Sequence, residues 1–241
     1  MKQRILGLIP AKGSSTRLPR KNIMPLGGKP LISWAGEALK NSGICDRIVV
    51  STEDKEVASV ARDEGLEVPF LRPAKLAVDP AGVVDVALHC LATLRHLGDT
   101  YDTLIITLPT CPFRTAQDIR NAYNLFRERN ANFLMGVSSF DHTPFAAMQL
   151  QDGTVKPWFP NYFGRKSQEM PAAYRPNGAL NILAIKEFEE ARSYFETPLY
   201  AYIMPWPRGI DIDTPDDLTM AEAVLASKLT SMPIHPGKTI D

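Results

Sequence analysis

No Asp or Glu precedes Glu37, whereas seven cations do: Lys2, Arg4, Lys12, Arg17, Arg20, Lys21 and Lys29. Lys plus Arg and Asp plus Glu each total 27, so the formal net charge is zero and the imbalance is local. Basic residues are not interleaved with aromatics along one face, which leaves a nucleic-acid partner without support. Cysteine is scarce. Cys45, Cys90 and Cys111 are odd in number, far apart and without a C-x-x-C pair. That argues against a disulfide framework or a zinc site, and for a reducing compartment. No apolar run approaches the roughly eighteen residues of a membrane span, and no long apolar signal region precedes the strand-like run Arg4 to Pro10. The expectation is a cytoplasmic protein with no membrane contact. Also missing are G-x-x-x-x-G-K-[ST], G-x-G-x-x-G and G-x-S-x-G, so a P-loop ATPase, a dinucleotide fold and a nucleophile-elbow hydrolase fit poorly. His89, His96, His142 and His235 have no metal-ligand spacing. Internal repeats and low-complexity segments are lacking.

The chain has 241 residues, 44% hydrophobic and 22% charged, the profile of an ordinary globular protein between one domain and two. Five of the seven early cations fall within or just beyond Ile9-Pro-Ala-Lys-Gly-Ser-Ser-Thr-Arg-Leu-Pro-Arg-Lys-Asn22, a small-residue loop after the apolar run Ile5 to Pro10. Small residues at Gly13-Ser14-Ser15-Thr16 let backbone N–H groups approach an anion, and flanking cations neutralise the rest of its charge. The alternative is a solvated basic turn after an edge strand. We read the loop as the cradle of a nucleoside triphosphate, and the protein as an enzyme.

Short apolar runs mark strands at Ile5–Ile9, Arg47–Ser51, Thr103–Leu108, Phe133–Ser139, Ala179–Leu183 and Tyr200–Met204. Helical patterns lie between them at Leu31–Asn41, Lys55–Glu64, Val83–Leu97 and Thr115–Arg129. Capping signals stand at Thr115 with Asp118, and at Thr214-Pro215-Asp216-Asp217 opening Leu218–Leu229. This alternation predicts an open α/β sheet with its ligands at the carboxyl ends of the strands. Phe140 to Arg175 breaks the pattern with prolines and aromatics, and Asp152-Gly153 between two short extended runs predicts a hairpin. Such an insertion serves as a lid or a subunit contact, or else folds over its own core. Residues 230–241 read as a loosely held tail.

A second constellation is Gly209-Ile210-Asp211-Ile212-Asp213-Thr214, whose period of two turns both carboxylates to one side. They either cap the helix that follows or hold Mg2+, which favours carboxylates and takes further ligands from substrate phosphates. A triphosphate loop elsewhere in the chain favours the metal.

These residues carry a resemblance. Ile9 to Asn22, continuing to Gly28-Lys29-Pro30-Leu31-Ile32, is similar to the signature of the acylneuraminate cytidylyltransferases, the CMP–sialic acid synthetase family. In family order come Ser51-Thr52-Glu53-Asp54, Val68-Pro69-Phe70-Leu71-Arg72-Pro73-Ala74, Leu76-Ala77-Val78-Asp79 and Pro109-Thr110-Cys111-Pro112-Phe113-Arg114-Thr115. Tyr174-Arg175-Pro176-Asn177-Gly178-Ala179 and Ile210-Asp211-Ile212-Asp213-Thr214 complete the match, which spans residues 4 to about 226. The resemblance implies a doubly wound, mostly parallel α/β nucleotidyltransferase domain (1–139 and 176–229) with a projecting dimerisation arm (140–175). The implied assembly is a homodimer or a tetramer, and the implied reaction joins CMP from CTP to the anomeric hydroxyl of a 2-keto-3-deoxy sugar acid. By position, Lys12, Arg17 and Lys21 hold the phosphates within the nucleotide loop Ala11, Lys12, Gly13 and Ser14, and Asn22 holds the nucleotide. Arg72 and the backbone from Asp79 to Ala81 lie near cytidine. Asp211 and Asp213 bind Mg2+, with Lys12, Lys21 and Asp211 as the catalytic groups. Leu108, Pro109, Thr110, Gln168, Arg175 and Asn177 face the sugar.

Departures from the family pattern fall mainly on the sugar side. Lys12 replaces an arginine on the nucleotide side, giving a point charge instead of a planar fork. Leu108 stands where sialate-activating members have glutamine, Ala146 where they have lysine, and Ser167 where they have arginine, with Arg165 and Lys166 displaced upstream. Each lost polar contact would cost about 1–3 kcal/mol if the sugar were unchanged. A deoxygenated, acylamino nine-carbon acid of the pseudaminic or legionaminic type is therefore expected. The Arg165-x-Ser167-Gln168 spacing is similar to pseudaminate-activating members, and Arg175-Pro176-Asn177-Gly178 to the sialate and legionaminate ones. The alternatives are a cytidylyltransferase for an eight-carbon ulosonate or a phosphonate, and a non-catalytic homologue that binds CMP-sugars.

Overall fold

A computed structural model describes residues 3–140 and 142–229, so the expected tail, residues 230–241, lies outside the described residues. In chain order the strands and helices are β1 (Ile5–Pro10), β2 (Pro25–Leu26), β3 (Lys29–Pro30), α1 (Leu31–Ser42), β4 (Arg47–Ser51), α2 (Lys55–Asp63), α3 (Val83–His96) and β5 (Thr103–Ile106). Then follow α4 (Ala116–Glu128), β6 (Phe133–Ser139), β7 (Met148–Gln151), β8 (Thr154–Pro157), β9 (Tyr174–Ala184), α5 (Ile185–Ala191), β10 (Leu199–Ile203) and α6 (Pro215–Ala226).

Six strands form one sheet in the order β10-β6-β9-β5-β1-β4. Every neighbouring pair is parallel except those of β9, which runs antiparallel to both β5 and β6. The sheet is covered on both faces, which is why β1 reads as a continuous apolar run with all six residues buried. Ile5 and Ile9 turn to the layer built by α1, α2 and α4, while Leu6 and Leu8 turn to the layer of α3 and α5. This is the expected doubly wound α/β architecture. A third cluster joins α6 to the β2–β3 turn through Leu26, Leu31, Ile212 and Val224. No helix among the described residues is long and apolar enough to cross a membrane.

The expected caps form. Thr115 with Asp118 and Thr214 with Asp217 close reciprocal boxes on α4 and α6. A further cap, beyond those expected, opens α2, where the Asp54 carboxylate accepts from the backbone N–H groups of Glu56 and Val57. Asp152 and Gly153 both have positive φ and join β7 to β8 as a two-residue hairpin.

Several boundaries differ from expectation. The last helix opens at Pro215 under its Thr214 cap, as the proline signalled, but ends at Ala226, short of Leu229. The β5 ladder ends at Ile106, and Leu108 turns out of the sheet ahead of Pro109, which has no N–H to donate. β9 begins at Tyr174, not Ala179, and so takes in the last residues assigned to the arm. Its first half pairs with β6 across a register shift between Met135 and Val137, and Pro176 and its polar neighbours hide that half from an apolar-run reading. β2, β3 and α5 are too short for periodicity to reveal.

Candidate active site

The chain leaves β1 for edge strand β4 and later returns to β5 on the other side of β1, so the winding reverses between β1 and β5. A cleft opens at the carboxyl ends of those two strands, where such folds bind ligands. Its volume is about 240 Å3, and it is lined by Lys12 after β1, by Leu108, Pro109 and Thr110 after β5, and by Asp211 and Asp213 before α6. Lys21, Asn22, Arg72 and Ala81 complete the group of expected residues on its wall.

The loop after β1 is fastened at several points. Asn22, itself buried, donates its side-chain N–H to the carbonyl of Lys12 at 2.8 Å, closing the loop across its base. The Ser14 hydroxyl donates to the Ala77 carbonyl at 3.2 Å, and the Gly13 N–H donates to Glu53 at 2.8 Å. The Gly13 N–H is thus bonded to a carboxylate in this conformation, contrary to the expected cradle. A Cβ at Gly13 would fall on the Asp54 side chain, so close approach to α2, and not to an anion, explains the glycine. Ala11 is fully buried beneath the loop.

The seven early cations separate in space. Lys2 lies outside the described residues. Arg4 pairs with Asp99, Lys29 with Glu37, and Arg20 with Asp54 and Glu56. Lys12 is exposed and has no ion pair among the described residues. Lys21 and Arg17 both turn to Asp213: Lys21 Nζ lies 2.5 Å from Oδ1 and an Arg17 Nη2 lies 2.5 Å from Oδ2. Burial pushes the Asp213 carboxyl up, but the hydrogen bonds and charges of Lys21 and Arg17 together outweigh it and hold it below the ordinary value.

Across the cleft, Arg72 is buried and its whole fork is used by the protein. Nε and Nη2 reach Glu53 at 3.1 and 2.8 Å, and Nη1 reaches the Ser51 carbonyl at 3.1 Å. Burial disfavours its charge and Glu53 restores part of it, leaving a net lowering. Glu53 therefore ties the loop after β1, through Gly13, to the cleft wall, through Arg72. Ala81 lines the cleft, whereas Asp79 is exposed and off its wall.

Ile210 and Ile212 are buried while Asp211 and Asp213 face the cleft, the expected period of two. The segment is extended without being a strand, held by the Ile212 N–H donating to the Thr110 carbonyl at 2.8 Å. Among the described residues no group of three or more His, Cys, Asp or Glu could hold a metal ion by itself. Two hard carboxylates beside cations suited to phosphates fit Mg2+ all the same, since that ion is bound through one or two carboxylates and completed by water and substrate oxygens.

The expected sugar-facing residues divide. Leu108, Pro109 and Thr110 line the cleft; Gln168 and Arg175 do not. Gln168 sits in a single turn of the arm, and Arg175 lies on β9 opposite Ser138. Asn177 is buried, with Nδ2 donating to Ser138 Oγ at 3.1 Å and Oδ1 accepting from the Ala179 N–H at 3.0 Å. Its polar atoms are satisfied within the protein and do not face the cleft, a correction to its expected position.

Sequence reasoning missed the wall and the struts. Val83 and Val86, on the first turns of α3, form the apolar side of the cleft, a feature their spacing of three could have signalled. Arg114 is fully buried and donates to the carbonyls of Leu108 and Ala179, locking the β5 exit to β9. Burial drives its pKa down to about 10. Cys111 donates to the Asn177 carbonyl at 2.9 Å and lies 3.5 Å from Asp211 Oδ1. Gly178, at φ +68°, lets β9 pass beneath Leu108 and Cys111, each only 3.2 Å from where a Cβ would stand.

Comparison with known proteins bears on family and fold. A family model described as Cytidylyltransferase matches residues 6–202. The chain is 32% identical to a pseudaminic acid cytidylyltransferase of Campylobacter jejuni, over 90% of this chain and 94% of that protein. It is 33% identical to a CMP-N,N'-diacetyllegionaminic acid synthase of Legionella pneumophila, over 92% of this chain and 96% of that protein. Among solved structures, a CMP:2-keto-3-deoxy-manno-octonic acid synthetase complexed with CTP shares the fold, with TM-score 0.70 at 15% identity, covering 94% of this chain and all of that one.

Proposed function

The chain belongs to the cytidylyltransferase family, and from that premise we propose that it transfers CMP from CTP to the anomeric hydroxyl of a deoxygenated, acylamino nine-carbon 2-keto-3-deoxy acid, releasing pyrophosphate. The observation that carries the reaction is the cleft itself, where two carboxylates, Asp211 and Asp213, share one wall system with Lys12 and Lys21 at the switch point of the sheet.

In this reading the hydroxyl oxygen forms a bond to the α-phosphorus as its proton passes to solvent and the bond to pyrophosphate breaks in line. Positioning and charge neutralisation supply most of the rate. Lys12, Lys21 and Arg17 bind the triphosphate. Arg72, fixed by Glu53, and the chain at Ala81 border the cytidine, and Val83 and Val86 exclude water from that side. Asp211 and Asp213 would hold Mg2+. When bound, that ion supplies charge neutralisation at the triphosphate and lowers the pKa of the attacking hydroxyl.

Leu108 supports the deoxygenated acid. It presents an apolar side chain inside the cleft where a hydroxyl-rich acid needs a partner, and the relatives above are named for pseudaminic and legionaminic acids. Ala146, Ser167 and Gln168 stand on the arm, off the wall of this chain's own cleft. We propose that residues 140–175 serve as a dimerisation arm and bring these residues to the cleft of a second copy.

The test is Mg2+-dependent pyrophosphate release from CTP across sialic, legionaminic, pseudaminic and eight-carbon acids. Preference for a deoxygenated nine-carbon acid is expected. Sialic acid as the best substrate would overturn the account of Leu108, and an eight-carbon acid as the best would overturn the nine-carbon assignment.

A further inference from the structure

The phosphate-binding cations and a proposed metal carboxylate neutralise one another in this structure. Asp213 holds Lys21 on one oxygen and Arg17 on the other, each at 2.5 Å. Lys21 is largely buried, with 15% of its side chain exposed, so its charge is poorly screened and its partner matters. Asp213 is fixed from behind as well, because its N–H donates to Asp217 at 3.0 Å within the cap of α6. Asp211, two residues earlier on the same wall, has no cation bonded to it among the described residues; its hydrogen-bonding neighbour is the Cys111 thiol. Lys12 is likewise without an ion pair among the described residues. One carboxylate and one cation are therefore open, while the other carboxylate and two cations are closed on each other.

Resting on the proposed CTP and Mg2+ sites, we infer that Asp213 with Lys21 and Arg17 is a charge latch that binding must exchange. A triphosphate arriving without metal meets cations already taken by Asp213. A divalent cation arriving without nucleotide meets a carboxylate already neutralised. Arriving together, the triphosphate takes Lys21 and Arg17 while the metal takes Asp213, so none of the three latch charges is left unpaired by the exchange. The latch thus selects the metal–nucleotide complex over either component. It also gives Asp213 a role apart from Asp211: the first holds the cations that a metal-free nucleotide needs, and the second holds none among the described residues.

The consequence is unusual for a metal ligand, since removing its charge should tighten nucleotide binding when metal is absent. CTP binding measured calorimetrically in EDTA should be about fivefold tighter for Asp213→Asn than for wild type, the size expected for releasing a partly buried ion pair. Asp211→Asn removes the same charge from the same wall and should change that affinity far less. Equal tightening by both variants would reduce the effect to general repulsion and overturn the latch, as would no tightening by Asp213→Asn. The reciprocal measurement uses Mn2+ alone, followed by electron paramagnetic resonance. Arg17→Gln, at an exposed position, should bind Mn2+ several-fold more tightly than wild type. Arg20→Gln, which removes an equal charge paired instead with Asp54 and Glu56, should not. Unaltered Mn2+ affinity in Arg17→Gln would overturn the latch even if Asp213→Asn failed to fold. Wild-type protein that binds no CTP in EDTA or in Mg2+ would sink the reading of the cleft, and the latch with it. CTP binding that is indifferent to Asp213 sinks the latch alone.

Discussion

Asp211 faces the cleft with a thiol and, among the described residues, no cation bonded to it, which makes it the carboxylate more open to a metal than Asp213. Asp211→Ala is expected to lower kcat by about 100-fold or more, the scale seen when a transition-state charge partner is removed; near-wild-type turnover at saturating Mg2+ would refute its role. Leu108→Gln places a polar partner on the same cleft and is expected to shift the ratio of kcat/KM toward sialic acid by about tenfold, the worth of one hydrogen bond. Competition between two acids at fixed CTP reads that ratio directly. At this scale the sequence shows which charges exist but not how they pair. The crowd of cations before Glu37 was legible, yet its division into Arg4 on Asp99, Arg20 on Asp54 and Lys21 on Asp213 depends on contacts across dozens of residues. Arg114 was hidden for the same reason. Nothing in Pro112-Phe113-Arg114 tells that its guanidinium is fully buried against two carbonyls.

The cap of α6 is the element that sets Asp213 in place. Asp217 accepts from the N–H groups of Asp213 and Thr214 and from the Thr214 hydroxyl, at 3.0, 2.8 and 2.8 Å. Asp217→Ala is expected to cost about 1 kcal/mol, as a lost cap does, and to lower Tm by roughly 2–4 °C in a chain of this size. It should also weaken CTP binding in Mg2+, because Asp213 loses its backing; a Tm shift with unchanged CTP affinity would restrict Asp217 to stability. The β7–β8 hairpin poses the opposite case. Leu150, Val155 and the adjacent Trp158 are 74, 63 and 61% exposed, and a lone two-stranded ribbon gains little by itself. Replacing residues 148–157 by a short Gly-Ser linker is expected to leave Tm nearly unchanged and give a monomer by light scattering; a dimer of undiminished strength would remove the arm from the interface. Elements with strong local signals were legible: the two Thr-Asp boxes, the Asp152-Gly153 turn and the strands buried on both faces. The first half of β9 was not, since Tyr174-Arg175-Pro176-Asn177-Gly178 has neither period nor apolar run and is extended only because β6 lies beside it.

For the whole molecule, Asp54, Glu67, Asp213 and Asp217 all titrate below their ordinary values of 3.8 for Asp and 4.5 for Glu. For Glu67 the hydrogen bond from Arg47 dominates; for the aspartates burial pushes up, and caps or cations outweigh it. Depressed folded-state values mean that the unfolded chain binds more protons in this range, so stability rises with pH there. The contribution is complete above about pH 4.5, the unfolded glutamate value, and is lost as pH falls through the lower folded values. Tm measured by calorimetry should be level from neutrality to that point and then drop steeply; a level Tm down to pH 3 would contradict the four assignments. The sheet as a class was visible in the strand–helix alternation, but the reversed direction of β9 was not, because direction leaves no mark on composition. That strand has a further meaning for descent. The arm leaves the sheet after Ser139 and rejoins it at Tyr174, and those two residues are direct ladder partners. Its two ends are therefore one strand spacing apart, roughly 4.8 Å. Whatever lies between them can be lengthened, shortened or exchanged in evolution without moving a residue of the cleft wall. The segment between them can thus be inherited as a cassette, while the cleft beside it descends unchanged.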